Sequence, residues 1–306
     1  MLADSVPGVS REYEPLLNWL EWIFTLLFTA AVVIHAWQGG AEMALLLAIG
    51  ALAALGSSQL ALALVNFMAT RLVAPRPLPR LDLSAGIPAD ARTLVVVPSL
   101  LYSSDNVATL CEALEVRYLA NRDPNLRFCL LTDLADAPQQ EMFDDAELVA
   151  QTRASIDALN ARYAHAYTTE QINEEGEPQR VTVRIEPFLL LHRPRLWNDG
   201  EQAWIGRERK RGKLEDLNAF LRGGARDRFA MVAGATSGLA SVRYVISLDA
   251  DTQLPRDAAR SFVSTMAHPL NQPVLDAAGT RVIEGYGLLQ PRVTTSLPLE
   301  NASRYE

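Results

Sequence analysis

Hydrophobic residues are concentrated in two long stretches near the start of the chain, and the remainder alternates between short apolar runs and mixed segments. The first stretch extends from Trp22 to Trp37, and the second, from Met43 to Met68, contains no charged residue. A helix needs about 20 apolar residues to cross a bilayer. The pattern therefore predicts two transmembrane helices, joined by a turn at residues 38–40, within a membrane segment that covers residues 1–73.

The charges that flank the second stretch predict its orientation. Arg71, Arg76 and Arg80 follow it without an acidic residue before Asp82, which places this end in the cytoplasm. A cleaved signal peptide is a poor match, because the leader contains more acidic than basic residues. The alternative is a hydrophobic hairpin that is buried inside a soluble protein.

A stiff, proline-rich linker at residues 74–90 is followed by a single predicted α/β domain at residues 91–306. Apolar runs of strand length alternate with helical patterns, which implies a mostly parallel sheet with helices on both faces. Ligands of such sheets bind beyond the carboxyl ends of the strands. The predicted strands are 93–101, 126–133, 181–191, 244–251 and 285–293, the predicted helices are 106–120, 138–164, 212–221 and 255–266, and a polar surface loop is predicted at 168–179.

Composition narrows the classes of function. The 306 residues carry a net charge of −8, so a dedicated nucleic-acid-binding protein is not expected. The two cysteines, Cys111 and Cys129, lie in apolar runs and are expected to be buried, reduced thiols rather than parts of a disulfide scaffold.

The most specific polar motif is Asp249-Ala250-Asp251, which ends an apolar strand pattern. Two carboxylates separated by one residue can reach the same divalent cation, and Mg²⁺ or Mn²⁺ prefers such oxygen ligands. The cation would bridge a diphosphate and offset the charge of the leaving group. A DxD sequence alone is more often a solvated acidic turn, but the preceding strand and the accompanying motifs favour a metal site.

A basic run precedes the predicted helix at 212–221. Gly212 frees the backbone at the start of this helix, and helix N-termini favour phosphate. The basic side chains supply charge for a diphosphate. The alternatives are a solvated basic loop and a patch that contacts anionic lipid. The five basic residues of the run are Arg207, Arg209, Lys210, Arg211 and Lys213.

Asp133 ends the predicted strand at 126–133. An acidic residue at this edge of the sheet can accept hydrogen bonds from a uracil or a ribose. It can equally cap the next helix or turn.

Four segments together resemble the transferase region of the bacterial cyclic β-1,2-glucan synthases. That region is assigned to glycosyltransferase family 84 and is similar to the inverting transferases of family 2. The resemblance implies a GT-A-like fold, UDP-glucose as donor, a growing β-1,2-glucan as acceptor, and Mg²⁺ or Mn²⁺ as cofactor. It also implies a multi-pass protein of the bacterial inner membrane, in contact with membrane lipid, whose catalytic domain is cytoplasmic. The four segments are 208–224, 244–260, 266–271 and 285–293.

The resemblance also implies roles for individual residues. Asp249 would contact the nucleotide ribose or the metal, and Asp251 would ligate the metal. Lys213 and Asn218 correspond to a lysine and an asparagine that face the donor at the start of a helix. In such inverting enzymes a sugar hydroxyl attacks the anomeric carbon while a carboxylate takes its proton. The residues at the positions that surround the uridine in this family are Pro98, Ser99 and Asp133.

Several alternatives stay open at the level of sequence. The catalytic base of these synthases lies after the metal motif, and nothing singles out Glu284 or Glu300 for this role, so we expect a fragment that binds the donor without completing the polymer. The chain can also belong to a family 2-like synthase of another polysaccharide, or be an inactive membrane-bound module that binds a sugar nucleotide or a partner. A nucleotidyltransferase is disfavoured, because no glycine follows the strand at 93–101 within the adjoining loop. The oligomeric state is not determined.

Overall fold

A computed structural model describes residues 14–72, 77–172, 178–224, 226–291 and 293. The chain divides into two compact units. One unit contains the two N-terminal helices, and the other is formed by Pro79–Gly287.

The first unit is built on a helical hairpin of α1 (Glu14–Gln38) and α2 (Met43–Leu72). Gly40 has a φ of +81°, a left-handed conformation that glycine adopts without strain, and it turns the chain between the helices. The apolar parts, Leu16–Gln38 and Met43–Arg71, are long enough to cross a membrane. Their 23 and 29 residues correspond to about 35 and 44 Å of helix. The predicted hairpin is confirmed, and its insertion in a membrane stays a prediction.

The second unit is a mixed α/β domain. Its helices pack on both faces of a central sheet, as predicted. The strands are β1 (Thr93–Leu101), β2 (Leu126–Leu134), β3 (His165–Ile172), β4 (Pro178–Ile185), β5 (Phe188–His192), β6 (Leu196–Asn198), β7 (Ala203–Ile205), β8 (Met231–Ala233), β9 (Tyr244–Ser247), β10 (Val274–Leu275) and β11 (Val282–Glu284), and the helices are α3 (Ser104–Ala120), α4 (Asp145–Tyr163), α5 (Arg209–Leu221) and α6 (Ala258–Met266).

The central sheet has the strand order β8-β5-β2-β1-β9. Strands β5, β2, β1 and β9 run parallel to their neighbours, and β8 is antiparallel at one edge. The mostly parallel sheet with flanking helices is therefore confirmed. Parallel strands that run side by side bring their carboxyl ends to one edge, where the polar motifs of β1, β2 and β9 meet.

Both faces of the sheet are buried, which explains the continuous apolar runs of its strands. Val95 and Val97 of β1 pack in one core with α3 and α4, while Leu94 and Val96 pack in a second core with Leu217 of α5. The two cysteines are free and buried, as predicted. Burial raises the pKa of both thiols, which keeps them protonated.

The predicted strand at 181–191 is wrong as a single element. Its first part belongs to β4, which pairs with β3 in a separate two-stranded ribbon, and its second part is β5 in the central sheet. Pro187 lies at the break and cannot donate a hydrogen bond to a ladder. The predicted surface loop at 168–179 is also wrong at its described positions, since both of its ends are in this ribbon; residues 173–177 lie outside the described residues.

The predicted strand at 285–293 is wrong, because the last strand, β11, ends at Glu284. Gly285 has a φ of +72°, and a Cβ there would lie 2.0 Å from the carbonyl oxygen of Gln272. The chain therefore turns where the apolar pattern continues, and no strand occurs at the described positions after Gly285.

Helix and strand ends also differ from the predictions. α4 begins at Asp145 rather than near Pro138, α6 begins at Ala258 after Asp257 in a left-handed conformation, and β9 ends at Ser247 before the acidic motif. Residues 138–141 form a bend and residues 143–144 a turn, and the Met142 N–H donates to the Asp145 carboxylate at 2.6 Å where the helix begins.

Candidate active site

A cavity of about 520 Å³ opens at the carboxyl ends of β1 and β2, next to the loop that follows β9. Six of the seven residues to which the resemblance assigns a role line it together. Arg211 and Asn218 are exposed and are not among the lining residues. They lie on other sides of α5, about 200° and 140° around the helix from Lys213. The six lining residues are Pro98, Ser99, Asp133, Lys213, Asp249 and Asp251.

The acidic wall of the cavity is the loop of Asp249, Ala250 and Asp251. A turn with a hydrogen bond of 3.0 Å from the Thr252 N–H to the Asp249 carbonyl shapes this loop. Both carboxylates are exposed. Asp249 forms an ion pair with Lys210, whereas the Asp251 carboxylate forms no hydrogen bond within the described part of the chain.

A buried arginine on α3, which does not line the cavity, binds the backbone of this loop. Arg117 is 4% exposed, and its Nη2 donates hydrogen bonds to the carbonyls of Ala250 at 2.6 Å and Thr252 at 2.7 Å. Its Nε donates to the Thr252 carbonyl at 3.0 Å. Burial lowers the pKa of Arg117, and the negative charge of Asp251 opposes this shift. Sequence reasoning missed this residue, which lies at a buried position of an otherwise apolar helix face.

Asn121, one helical turn after Arg117, holds the next part of the same segment. Its Nδ2 donates to the Leu254 carbonyl at 3.2 Å, and its Oδ1 accepts from the Ala259 N–H at 3.0 Å. Two buried polar residues spaced i, i+4 on an apolar face are the signal that could have indicated this contact.

The opposite wall contains a buried carboxylate, Asp133, that is paired with two buried cations. Arg193, at the end of β5, binds both oxygens of Asp133 in a fork, with distances of 2.9 and 2.8 Å. Lys213 Nζ lies 3.4 Å from Asp133 Oδ2 and donates to the Ser99 carbonyl. Burial lowers the pKa of Lys213, and Asp133 opposes the shift. Asp133, considered from sequence as an acceptor for the nucleoside, is thus the counter-ion of Arg193 and Lys213 in this structure.

Arg193 also fixes the basic loop before α5. Its Nη1 donates to Asp216 at 2.7 Å, and its Nη2 donates to the carbonyls of Arg207 at 3.1 Å and Arg209 at 3.2 Å. Burial opposes ionisation of Asp216, but hydrogen bonds from Arg193, Arg228 and Arg207 lower its pKa overall. Arg193 and Asp216 were not identified from the sequence, although Arg193 directly follows β5 and Asp133 lies near the end of the neighbouring β2.

Gly206 allows this wall to close around Asp133. A Cβ at Gly206 would lie 2.1 Å from Asp133 Oδ2, so any larger residue would displace the carboxylate from Arg193. Gly206 and Asp133 both line the cavity.

Most of the basic run is neutralised by acidic residues of the domain. Arg209, Lys210 and Lys213 line the cavity, and each has an acidic partner. The expectation that Gly212 stands at the start of the helix is wrong: α5 begins three residues earlier, at Arg209, and the Gly212 N–H donates to the Glu208 carbonyl. Gly212 instead permits close packing, since a Cβ there would lie 2.1 Å from the Arg207 carbonyl oxygen.

The donor set fits a cation that is shared with a phosphate ligand. No group of three histidine, cysteine or acidic side chains suited to a metal occurs among the described residues. Mg²⁺ is commonly held by one or two carboxylates together with waters and substrate phosphates. Asp249 and Asp251 face the cavity as such a pair, opposite cationic side chains that suit a diphosphate.

The fold and site define an α/β domain with a charged cavity at the carboxyl edge of a parallel sheet, the usual location of nucleotide and phosphate sites in this class. The chain is 40% identical over 278 residues to the cyclic beta-(1,2)-glucan synthase NdvB of Rhizobium meliloti (strain 1021). The match covers 89% of this chain and only 9% of the length of that relative. The predicted resemblance to the cyclic β-1,2-glucan synthases is thereby confirmed. No protein-family model matches the chain, so the assignment to family 84 stays a prediction.

Proposed function

We propose that this chain is part of a membrane-anchored inverting glycosyltransferase that transfers glucose from UDP-glucose to a growing β-1,2-glucan. The observation that carries the proposal is the meeting of Asp249, Asp251 and Lys213 in one cavity, in a chain that is 40% identical to a cyclic glucan synthase. The chain spans only 9% of the length of that relative. The activity of the whole protein is therefore itself part of the proposal.

Each wall of the cavity would bind a different part of the donor complex. Asp249 and Asp251 would hold Mg²⁺ or Mn²⁺, which offsets negative charge on the departing UDP. Lys210 and Lys213 supply positive charge toward the diphosphate. The uridine would lie against the end of β1, at Pro98 and Ser99. The cavity volume of about 520 Å³ is in the range of small-molecule sites.

Transfer with inversion requires an acceptor hydroxyl to attack the anomeric carbon while a carboxylate removes its proton. The acidic residues of the cavity outside the proposed metal pair are Asp133 and Asp136, and both are paired with cations. We therefore assign the donor site to this domain and leave the base unassigned.

The apolar hairpin is proposed to anchor the protein in the bacterial inner membrane, with lipid around α1 and α2. The length of both helices supports this, as does the absence of charge between Met43 and Met68. The arginines after α2 favour a cytoplasmic position for the catalytic domain.

The proposal is tested by measuring UDP-glucose binding to the full chain in detergent, with Mn²⁺ and with EDTA. We expect binding that requires Mn²⁺ and that Asp251→Ala weakens by more than about tenfold, because one of two carboxylate ligands is lost. Asp157→Ala is the matched control, since it removes an exposed carboxylate of α4 from a surface ion pair.

Two other results would contradict parts of the proposal. A folded wild-type chain that does not bind UDP-glucose would contradict the donor site and favour an inactive interaction module. Binding that persists unchanged in EDTA and in Asp251→Ala would contradict the metal site but retain a nucleotide site.

A further inference from the structure

The acidic loop of the cavity is attached to the rest of the domain through its backbone carbonyls. The carbonyls of Ala250 and Thr252 accept hydrogen bonds from Arg117 at 2.6 to 3.0 Å, and the Asp249 carbonyl lies 3.4 Å from Arg117 Nη2. Arg117 does not line the cavity, whereas the side chains of Asp249 and Asp251 do. With its carbonyls held on one side, the loop presents both carboxylates on the other.

The surroundings of Arg117 are unusual for a buried cation. Among the described residues it forms no ion pair, and its Nη1 has no hydrogen-bond partner. Arg193 and Arg195 are similarly buried, but each binds a carboxylate directly. A buried charge without a paired carboxylate is costly to the fold. The hydrogen bonds to the loop carbonyls and the electrostatic interaction with Asp251 offset the cost of burying the Arg117 charge.

We infer that Arg117 is a positioning residue that sets the geometry of the loop at residues 249–252, so that the carboxylates of Asp249 and Asp251 can bind one divalent cation together. The inference rests on the proposed function for the identity of the ligand, a cation that accompanies a nucleoside diphosphate. The hydrogen-bonding fork of the guanidinium is the essential feature, because its Nε and Nη2 reach two carbonyls of the loop at once.

Arg117 can act by positioning the loop or only as a nearby positive charge. The two roles predict opposite effects of its removal on the binding of a divalent cation. If Arg117 acted only as a nearby positive charge, its removal would strengthen the binding of a divalent cation, and lysine would replace it fully. If Arg117 positions the loop, neutral and lysine variants both weaken binding, because an ammonium group cannot reproduce the planar fork. Loss of a group that orients metal ligands typically costs about 10- to 100-fold in metal affinity.

The experiment compares Arg117→Met and Arg117→Lys with the wild type, using the full chain in detergent. The measured quantity is the Mn²⁺ concentration that gives half-maximal binding of UDP, with the affinity for UDP at saturating Mn²⁺ as a second readout. We expect both variants to require at least about tenfold more Mn²⁺ than the wild type. The affinity for UDP at saturating Mn²⁺ should change by less than about twofold, a split that general loss of structure would not produce.

Asn160→Ala is the control for destabilisation. Asn160 is buried and exchanges two hydrogen bonds of 3.0 Å with the backbone of Phe188, far along the chain from the acidic loop. This variant should leave the Mn²⁺ requirement unchanged. A wild-type Mn²⁺ requirement in Arg117→Lys, or a lowered one in Arg117→Met, would overturn the inference in favour of charge alone.

Hydrogen–deuterium exchange separates this inference from the proposed function. If the wild-type chain shows no Mn²⁺-dependent binding of UDP, the proposed metal site fails, and exchange in a peptide that covers residues 249–254 then decides the role of Arg117. Faster exchange of this peptide in both Arg117 variants, but not in Asn160→Ala, supports positioning of the loop. Unchanged exchange would overturn it.

Discussion

At the scale of single residues, two buried arginines outside the predicted site organise the charged groups within it. Arg117 holds the acidic loop by its carbonyls, and Arg193 holds the basic loop by the carbonyls of Arg207 and Arg209. Arg193 is additionally paired with Asp133, so the cavity walls depend on side chains that a ligand does not touch. Preorganisation of this kind keeps binding groups in place before the ligand arrives.

A substitution at Gly206 tests whether the position of the Asp133 carboxylate matters for the cavity. Gly206→Ala is expected to destabilise the domain by about 1 to 3 kcal/mol and to weaken UDP-glucose binding, because the new Cβ would lie 2.1 Å from Asp133 Oδ2. Thermal unfolding in detergent and donor titration measure the two effects.

Gly224→Ala is the control for Gly206→Ala, since its Cβ would make an ordinary contact of 3.5 Å with the Ala219 carbonyl. Equal stability and equal donor binding in both glycine variants would contradict the importance of the close approach at Gly206.

At the scale of elements, the adjacent ends of β2 and β5 form the base of the cavity. Thr132 pairs in register with His192, and the Arg193 N–H continues the ladder to the Thr132 carbonyl at 2.9 Å. This register places Asp133 beside Arg193. The parallel pairing of two strands thus creates the ion pair, although the residues are 60 positions apart.

His192 gives this pair of strands a predicted pH dependence. Burial lowers the pKa of His192 from 6.5 to about 4. Between these values the unfolded chain binds a proton that the folded chain does not, so stability is expected to fall as the pH decreases from 6.5 to 4. The loss attributable to this group is at most about 3 kcal/mol.

The measurement is the melting temperature in detergent across this pH range for the wild type and His192→Asn. The asparagine cannot titrate but can hydrogen-bond to Thr132, whose Oγ1 lies 2.9 Å from His192 Nδ1. We expect a shallower pH dependence in the variant. An identical slope in both proteins would show that other groups, such as Asp145 and Asp216 with their lowered pKa values, account for the dependence.

At the scale of the whole molecule, the chain combines an apolar hairpin with a separate α/β unit. The hairpin exposes large apolar side chains, among them Trp22, Leu47 and Leu52. Exposed apolar area of this extent marks a surface that contacts lipid or protein. Together with the charge pattern, it supports the proposed membrane anchor.

Cysteine labelling from outside intact bacteria tests the orientation of this anchor. The exposed Glu42→Cys, at the turn between α1 and α2, should react with a membrane-impermeant maleimide. The exposed Ser84→Cys, after the hairpin, should react only after the cells are opened. The native Cys111 and Cys129 are buried and give little background. Protection of both engineered cysteines until lysis would contradict a transmembrane hairpin.

The parts of the fold that were predicted correctly depend on local pattern. β1 coincides with the predicted strand at 93–101, and β2 differs from its prediction by one residue, because both are continuous apolar runs buried on two faces. The errors at 181–191 and 285–293 arose where an apolar pattern continued past a break. Pro187 and the left-handed Gly285 interrupt the strands there.

The sequence by itself determined the apolar hairpin, the parallel sheet and the meeting of Asp133, Asp249 and Asp251 at one edge. Periodicity and the rule that parallel strands share a carboxyl edge are sufficient for these features. Only the tertiary structure decided which partners these residues have. Arg117 meets Thr252 across 135 positions of the chain, and such a contact depends on how α3 packs against the sheet, which no local pattern encodes.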